Sequence, residues 1–363
     1  MRELTRALRG PRFARLREQL RLTELTPPEP DRDRAEGRVS ISLARLRGFL
    51  ESPLQAWAAE VLRLRESDLD DLVTRADEAF STPLAPMVGI LRDVFSQHIS
   101  SEARDLDALV ARYRARAHRL ELSGQGPTGV FSDIDRERHL DILTRWYRHL
   151  EAITDPLTRF RHVGFGRSPE GLEHSALVAP ITLTVELRDG SLARPIQVDV
   201  FGHTEALGGP EIGSLVLNHR PDERKKYLLR GFLDHVALSA AGHSGDRAHA
   251  ITVLSTGQRS QRYQLDPFSQ EQARAYLGAL IAELLGGPHE YLLPCEAVFA
   301  WQNKPDTPLA HTIEVRRDTA RGMSCLYGPV ARIDNLSPPR DAEAMAERRF
   351  GPLFERLRVI EPR

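Results

Sequence analysis

The spacing of apolar positions changes character near the middle of the chain. In the first half it is helical: Leu4, Leu8, Phe13, Leu16 and Leu20 recur near helical spacing, interrupted at Gly10-Pro11. The proline-rich stretch from Thr26 to Asp33 breaks that pattern, so residues 1–38 are expected to form an N-terminal helix and linker. Residues 39–165 are expected to be a helical region. Helices are predicted over 39–50, over 54–64 with Ser52 as N-cap and Pro53 at the first helical position, and over 68–80, 83–98, 103–121 and 133–152. Between them lie Pro, Gly and Ser signals such as Ser123 to Pro127.

After a stretch rich in Gly and His at 161–175, the period becomes two. Ile181, Leu183, Val185 and Leu187 alternate with polar residues, Asp189-Gly190 marks a hairpin turn, and Ile196, Val198 and Val200 resume the alternation. A short apolar strand at 215–217 is followed by an amphipathic helix from about Asp222 to Ala241, strands at 249–254 and 260–265, and a helix at 270–286. The order β, β, β, α, β, β, α predicts an α+β or α/β domain over 166–305, a mixed sheet flanked by helices and preceded by the helical region. Residues 306–363 are expected to be a loop-rich tail up to Pro338-Pro339 and a closing helix at 341–357. No internal repeat is found.

Composition narrows the chemistry. With 51 acidic against 50 basic residues the net charge is −1, so the whole-chain field names no nucleic-acid or membrane partner, though a local patch could. Two cysteines, Cys295 and Cys325, cannot build a disulfide scaffold or a four-cysteine metal site. A reducing, cytoplasmic setting fits best. No apolar run reaches 18 residues and the arginine-rich N-terminus is not a signal peptide, so no membrane association is expected. Neither is a nucleotide site on this chain, which lacks a Walker A glycine-rich loop.

The chemically informative block runs from Val198 through Gly202-His203-Thr204-Glu205, then Asn218-His219-Arg220, then the helix containing Tyr227 to Leu238. A hairpin with an acidic residue, a short strand ending in polar residues and a following amphipathic helix resemble the core of the PD-(D/E)XK nucleases. That resemblance implies two carboxylates holding Mg²⁺ and a lysine assisting the attacking water. Here Glu205 keeps the first acidic position, but Asn218 stands for the second carboxylate and Arg220 for the lysine. Asparagine cannot offset a cation's charge and arginine is not deprotonated, so the resemblance implies a degenerate motif with no catalytic residue and no metal. The alternative is an active Mg²⁺-dependent nuclease in which Glu205 works with Asp199 or Asp222.

Three segments together are more specific: Ser40 to Trp57, Tyr227 to Leu238, and Leu293 to Trp301. Across about residues 39–305 the sequence resembles the C-terminal part of the gamma subunit of exodeoxyribonuclease V, the RecC type. The resemblance implies a nuclease-like domain without catalytic residues, serving a DNA-end-processing helicase–nuclease. Its partners would be a helicase–nuclease beta subunit, a helicase alpha subunit, double-stranded DNA ends and separated single strands. ATP and Mg²⁺ would be used by those partners, with no cofactor on this chain. Related active nucleases place a cluster-ligand cysteine before the proline that here follows Ser52. Only residues 1–38 precede the region, whereas a complete gamma chain carries helicase-like domains there, which implies a fragment or a stand-alone relative.

Arg112, Arg116 and Arg119 form a basic stripe at helical spacing and are the DNA-binding candidates, set against a solvated helix face. His139 and His149 are ten positions apart, which does not suit a helical metal pair. Trp57, Trp146 and Trp301 sit in apolar patterns and are expected in the core, and Cys295 is expected to be a buried thiol.

Overall fold

The computed structural model describes residues 38–60, 80–123, 126–155, 158–166, 175–189, 192–221, 225–287, 289, 291–304, 306–319 and 337–360. The expected helix over 1–22, residues 68–79 of the helix expected over 68–80, the linker at 26–33, the Asp189-Gly190 turn residue Gly190, Asp222 and Cys325 lie outside these residues. In chain order the elements are β1 (Arg38–Ser42), α1 (Leu43–Glu51), α2 (Pro53–Glu60), α3 (Leu84–Ser100), α4 (Leu106–Leu122) and α5 (Gly129–Ile153). Then come β2 (His162–Phe165), β3 (Ser175–Val178), β4 (Ile181–Asp189), β5 (Leu192–His203), β6 (Ala206–Leu207), β7 (Ser214–Leu217) and α6 (Lys226–Ala240). The last are β8 (His249–Leu254), β9 (Gln261–Leu265), α7 (Gln270–Leu285), α8 (Cys295–Gln302), α9 (Leu309–Thr319), α10 (Ala342–Arg356) and β10 (Leu357–Ile360).

Two mixed sheets flanked by helices make an α+β fold, as the change of period predicts. In the first, β5 is the shared strand. It pairs antiparallel with β4, parallel with β1 along 197–201 and antiparallel with β2 at 202–203, and β3 adds to β2 in parallel. Ile181, Leu183, Val185, Ile196, Val198 and Val200 point into the main core, with α1 and α7 against them. The second sheet has the order β10-β9-β8-β7-β6, with only β7 and β8 parallel. Both of its faces are covered. Val216, Ile251 and Val253 meet α6 in the main core, while Leu215, Leu217 and Leu254 join Trp146, Phe95 and the helices α3–α5 in a second core.

Three expectations need correction. Residues 38–42 are a strand, not the start of a helix over 39–50. Val39 and Ile41 are buried while Arg38 and Ser40 are exposed, and the helix starts only after Ser42, whose Oγ accepts from the Arg45 N–H at 3.1 Å. The region 39–165, expected to be helical, therefore supplies β1 and also β2. The latter escapes a period-two reading because all four of its residues are buried. The tail is not simply loop and one helix, since α9 and β10 are ordered there and Phe350 and Leu353 of α10 enter the main core. Trp57 and Trp146 are buried, Trp301 is half-buried against the main core, and the Cys295 thiol is buried.

Candidate functional site

Glu205 lies in the connection between β5 and β6, and two glycines shape its surroundings. Gly202 closes β5 at φ 128°, where an added Cβ would sit 3.3 Å from Leu43 Cβ, so α1 begins close beside the strand end. Gly213, at φ 58° in the β6–β7 turn, brings backbone so close to β8 that a Cβ would lie 1.7 Å from the Ala250 carbonyl oxygen. The carboxylate of Glu205 meets side chains from three helices, α1, α3 and α6.

What meets it there is cationic. Arg92 Nη2 of α3 donates to Oε2 at 2.8 Å, Arg230 Nη1 of α6 donates to Oε1 at 2.9 Å, and Arg47 Nη1 of α1 stands 3.7 Å from Oε1. The four side chains are only 16–29 % exposed. Burial alone would push the Glu205 carboxyl up, but the Arg92, Arg230 and Arg47 charges outweigh it and hold the group far below the usual carboxylate range. Burial lowers Arg47 and Arg92 from the ordinary arginine value, with the charge of Arg230 acting in the same sense on both, whereas Glu205 more than offsets burial at Arg230, which is raised.

A second carboxyl is nearby, and burial pushes its ionisation upward. Asp234 on α6 is 4 % exposed, and its Oδ2 accepts from the Glu205 N–H at 3.0 Å and from Ser214 Oγ at 2.6 Å. Burial, reinforced by the charge of Glu205, pushes Asp234 up to about 8. Because the Ser214 hydroxyl gives its one hydrogen to Asp234, it accepts from His249 Nε2 at 2.9 Å. Burial pushes His249 down to about 3, so it is a neutral ring, stacked on His235 at 5.1 Å.

The other motif positions belong elsewhere. Asn218, 1 % exposed, follows β7, where its Oδ1 accepts from the Arg220 N–H at 3.0 Å and its carbonyl accepts from Trp146 Nε1 at 2.9 Å. Arg220 Nε reaches the neighbouring His219 Nε2 at 3.3 Å. Beside them an open pocket of about 280 Å³ includes His219, Arg138 and Arg145 in its wall, outside the carboxyl ends of β7 and β8. Asp199 alternates onto the sheet face opposite Val198 and Val200, where it is bound by Arg38 (2.6 and 2.8 Å) and by Thr182 Oγ1 (2.8 Å). Glu205 and Asp199 are therefore engaged by different cations, and Asp222 lies outside the described residues. Among the described residues no three His, Cys, Asp or Glu side chains are grouped to hold a metal, and the lone pairs of Glu205 face guanidinium groups, a poor fit for Mg²⁺.

The stripe of Arg112, Arg116 and Arg119 lies on α4, whose buried residues are Leu109 and Tyr113. Arg112 and Arg116 are half-buried and Arg119 is exposed. Arg112 bears on His98 and Arg116 on Asp93, which places the stripe along α3. His139 is buried against Tyr113 Oη at 2.7 Å and Asp135 at 3.6 Å, a core contact.

Sequence reasoning found Glu205 and missed its three arginines, although a signal existed. The pentapeptide Leu-Arg-Gly-Phe-Leu occurs twice, at 46–50 and 229–233. Its two arginines, Arg47 and Arg230, converge on the same oxygen of Glu205, and the helices that carry them pack together. No curated protein matches the chain. A family model, the RecC C-terminal domain, matches residues 39–305, a span that includes Glu205 and all three arginines. Because that match covers well over half of the chain and runs through both cores, this chain belongs to the family of the RecC C-terminal domain.

Proposed function

We propose that this chain is a non-catalytic scaffold that contacts DNA within the RecBCD-type multi-subunit complex to which its family ties it, in the processing of double-strand ends for recombinational repair. In this reading the domain keeps a nuclease-like frame with a degenerate motif, and ATP and Mg²⁺ serve the helicase–nuclease and helicase partners. One observation carries it: the carboxylate at the first motif position is neutralised by Arg47, Arg92 and Arg230. A metal ligand must offer its oxygens to a cation from solution. Glu205 has already given them to three guanidinium groups, and Asn218 faces its own turn instead of adding a second charge.

Glu205→Gln in the reconstituted complex tests this on linear duplex DNA with Mg²⁺, with assembly verified by size. Nuclease activity is expected to stay within a few-fold of wild type. A loss above about tenfold, or about 1.4 kcal/mol of barrier, in an assembled complex would overturn the scaffold reading and favour an active metal site. DNA contact is assigned to Arg112, Arg116 and Arg119. Reversing all three to Glu is expected to weaken DNA binding about equally for all sequences and to flatten its salt dependence, because phosphate contacts carry no base code. Unchanged affinity and salt slope would make the stripe a solvated face.

A further inference from the structure

We propose that the Arg47, Arg92 and Arg230 cluster is an oxyanion site that takes a phosphate group, with Glu205 as the internal anion competing for it. The inference rests on the reading of Glu205 as a carboxylate that holds no metal. It begins with a mismatch between donors and acceptors. Three guanidinium groups present five N–H donors each, yet Glu205 accepts hydrogen bonds from one nitrogen of Arg92 and one of Arg230. Arg47 stands at ion-pair distance only, and the Nε of Arg230 is buried without a hydrogen-bond partner.

Charge shows the same imbalance. Against three positive groups stand two carboxylates, Glu205 and the half-buried Glu51, whose charge also acts on Arg47 and Arg230, so positive charge is in excess by one. Asp234, the other buried carboxyl, binds Ser214 and the Glu205 N–H and adds no contact to the guanidinium groups. Glu51 lies 3.6 Å from Arg47 on the same face of α1 and makes no hydrogen bond to it, and the exposed Asp93 is shared between Arg116 and Arg92. Excess positive charge held away from water is costly, and an oxyanion with several acceptor oxygens relieves it. The cluster is also reachable, since Arg47 keeps 29 % of its side-chain surface exposed. Planar guanidinium forks converging from three helices suit a tetrahedral phosphate better than a second carboxylate, because each fork can meet a different oxygen. The phosphate could be free or belong to a DNA strand.

Titration of the full chain with sodium phosphate, against sodium chloride at equal ionic strength, tests the site by calorimetry and thermal unfolding. Phosphate is expected to bind and to raise Tm in the wild type. Glu205→Gln removes the competing anion and should tighten phosphate about tenfold, whereas Arg47→Gln should weaken it about tenfold. If Glu205→Gln does not fold without anion, its recovery by phosphate but not by chloride is the same result. Arg47→Gln, which breaks no hydrogen bond to Glu205, decides the matter alone if necessary. No binding of phosphate, or binding that both variants leave unchanged, overturns the proposal. A 5′-phosphorylated oligonucleotide and its unphosphorylated twin identify the source: competition by the first alone indicates a strand end, by both a strand backbone, and by neither free phosphate. Mg²⁺ is titrated in parallel. Stabilisation by Mg²⁺ that Glu205→Gln abolishes would instead defeat the metal-free reading of the site, a failure distinct from absence of phosphate binding.

Discussion

Replacing Asp234 by Asn should change how stability depends on pH more than it changes the structure. The Asp234 carboxyl is 4 % exposed and its ionisation is pushed from an ordinary 3.8 up to about 8. Between those two values the folded chain keeps a proton that the unfolded chain releases. Folding stability from this group is therefore fully present below the unfolded value and is lost as pH rises through the folded one. The slope is about 1.4 kcal/mol per pH unit for one proton, or about 4 kcal/mol between about pH 5 and about pH 8. An amide in the same place copies the neutral acid, because its oxygen can still accept from the Glu205 N–H and the Ser214 hydroxyl. Asp234→Asn is expected to equal the wild type within about 1 kcal/mol near pH 4 and to exceed it by several near pH 8. Urea unfolding of both proteins at four or five pH values measures the difference directly, and every other titrating group cancels in the comparison. Parallel curves would show that Asp234 is ionised in the folded protein and that burial does not govern it.

Gly213→Ala should destabilise the fold by roughly 3 kcal/mol or more, or abolish folding, because the new Cβ would lie 1.7 Å from the Ala250 carbonyl oxygen at a residue with φ 58°; an unchanged unfolding midpoint would refute the close approach of the β6–β7 turn to β8. Trp146→Phe should cost about 2–4 kcal/mol, combining a smaller ring in the second core with loss of the hydrogen bond from Trp146 Nε1 to the Asn218 carbonyl. Its check is chemical denaturation, and a loss under about 0.5 kcal/mol would mean that the bond from Trp146 Nε1 contributes little.

The sequence is most legible where an element buries one side only: β4 and β5 alternate because one face of their sheet meets the main core, and α7 shows its apolar face at helical spacing. α6 is read from its apolar positions although 13 of its 15 residues are buried. β2 was hidden by burial on both faces, and β1 by its length: two buried positions, Val39 and Ile41, are too few to outweigh the helical run that follows from Leu43. Of the site, Glu205 could be read because it follows a strand pattern and a glycine. Its partners come from three separate helices and share no local spacing. Composition could not single them out either, since all but three of the 50 basic residues are arginine. From the sequence, Asn218 and Arg220 are read as unable to offset a cation's charge or act as a base. What they do instead, a turn closed by an Asn side chain and a carbonyl for Trp146, depends on contacts 72 positions away.

The parallel pairing of β1 with β5 also has a consequence for biosynthesis. Arg38 meets Asp199 at a separation of 161 positions, so the N-terminal strand leaves the ribosome long before its neighbour exists. At about 5–20 residues per second that interval is about 8–32 seconds. Throughout it Val39 and Ile41 have no sheet to enter, and the free edge of β1 can pair with any other nascent strand. Safe maturation of this chain thus depends on whatever occupies that edge during translation, and premature release of peptides ending before residue 197 should yield aggregates instead of a folded subdomain.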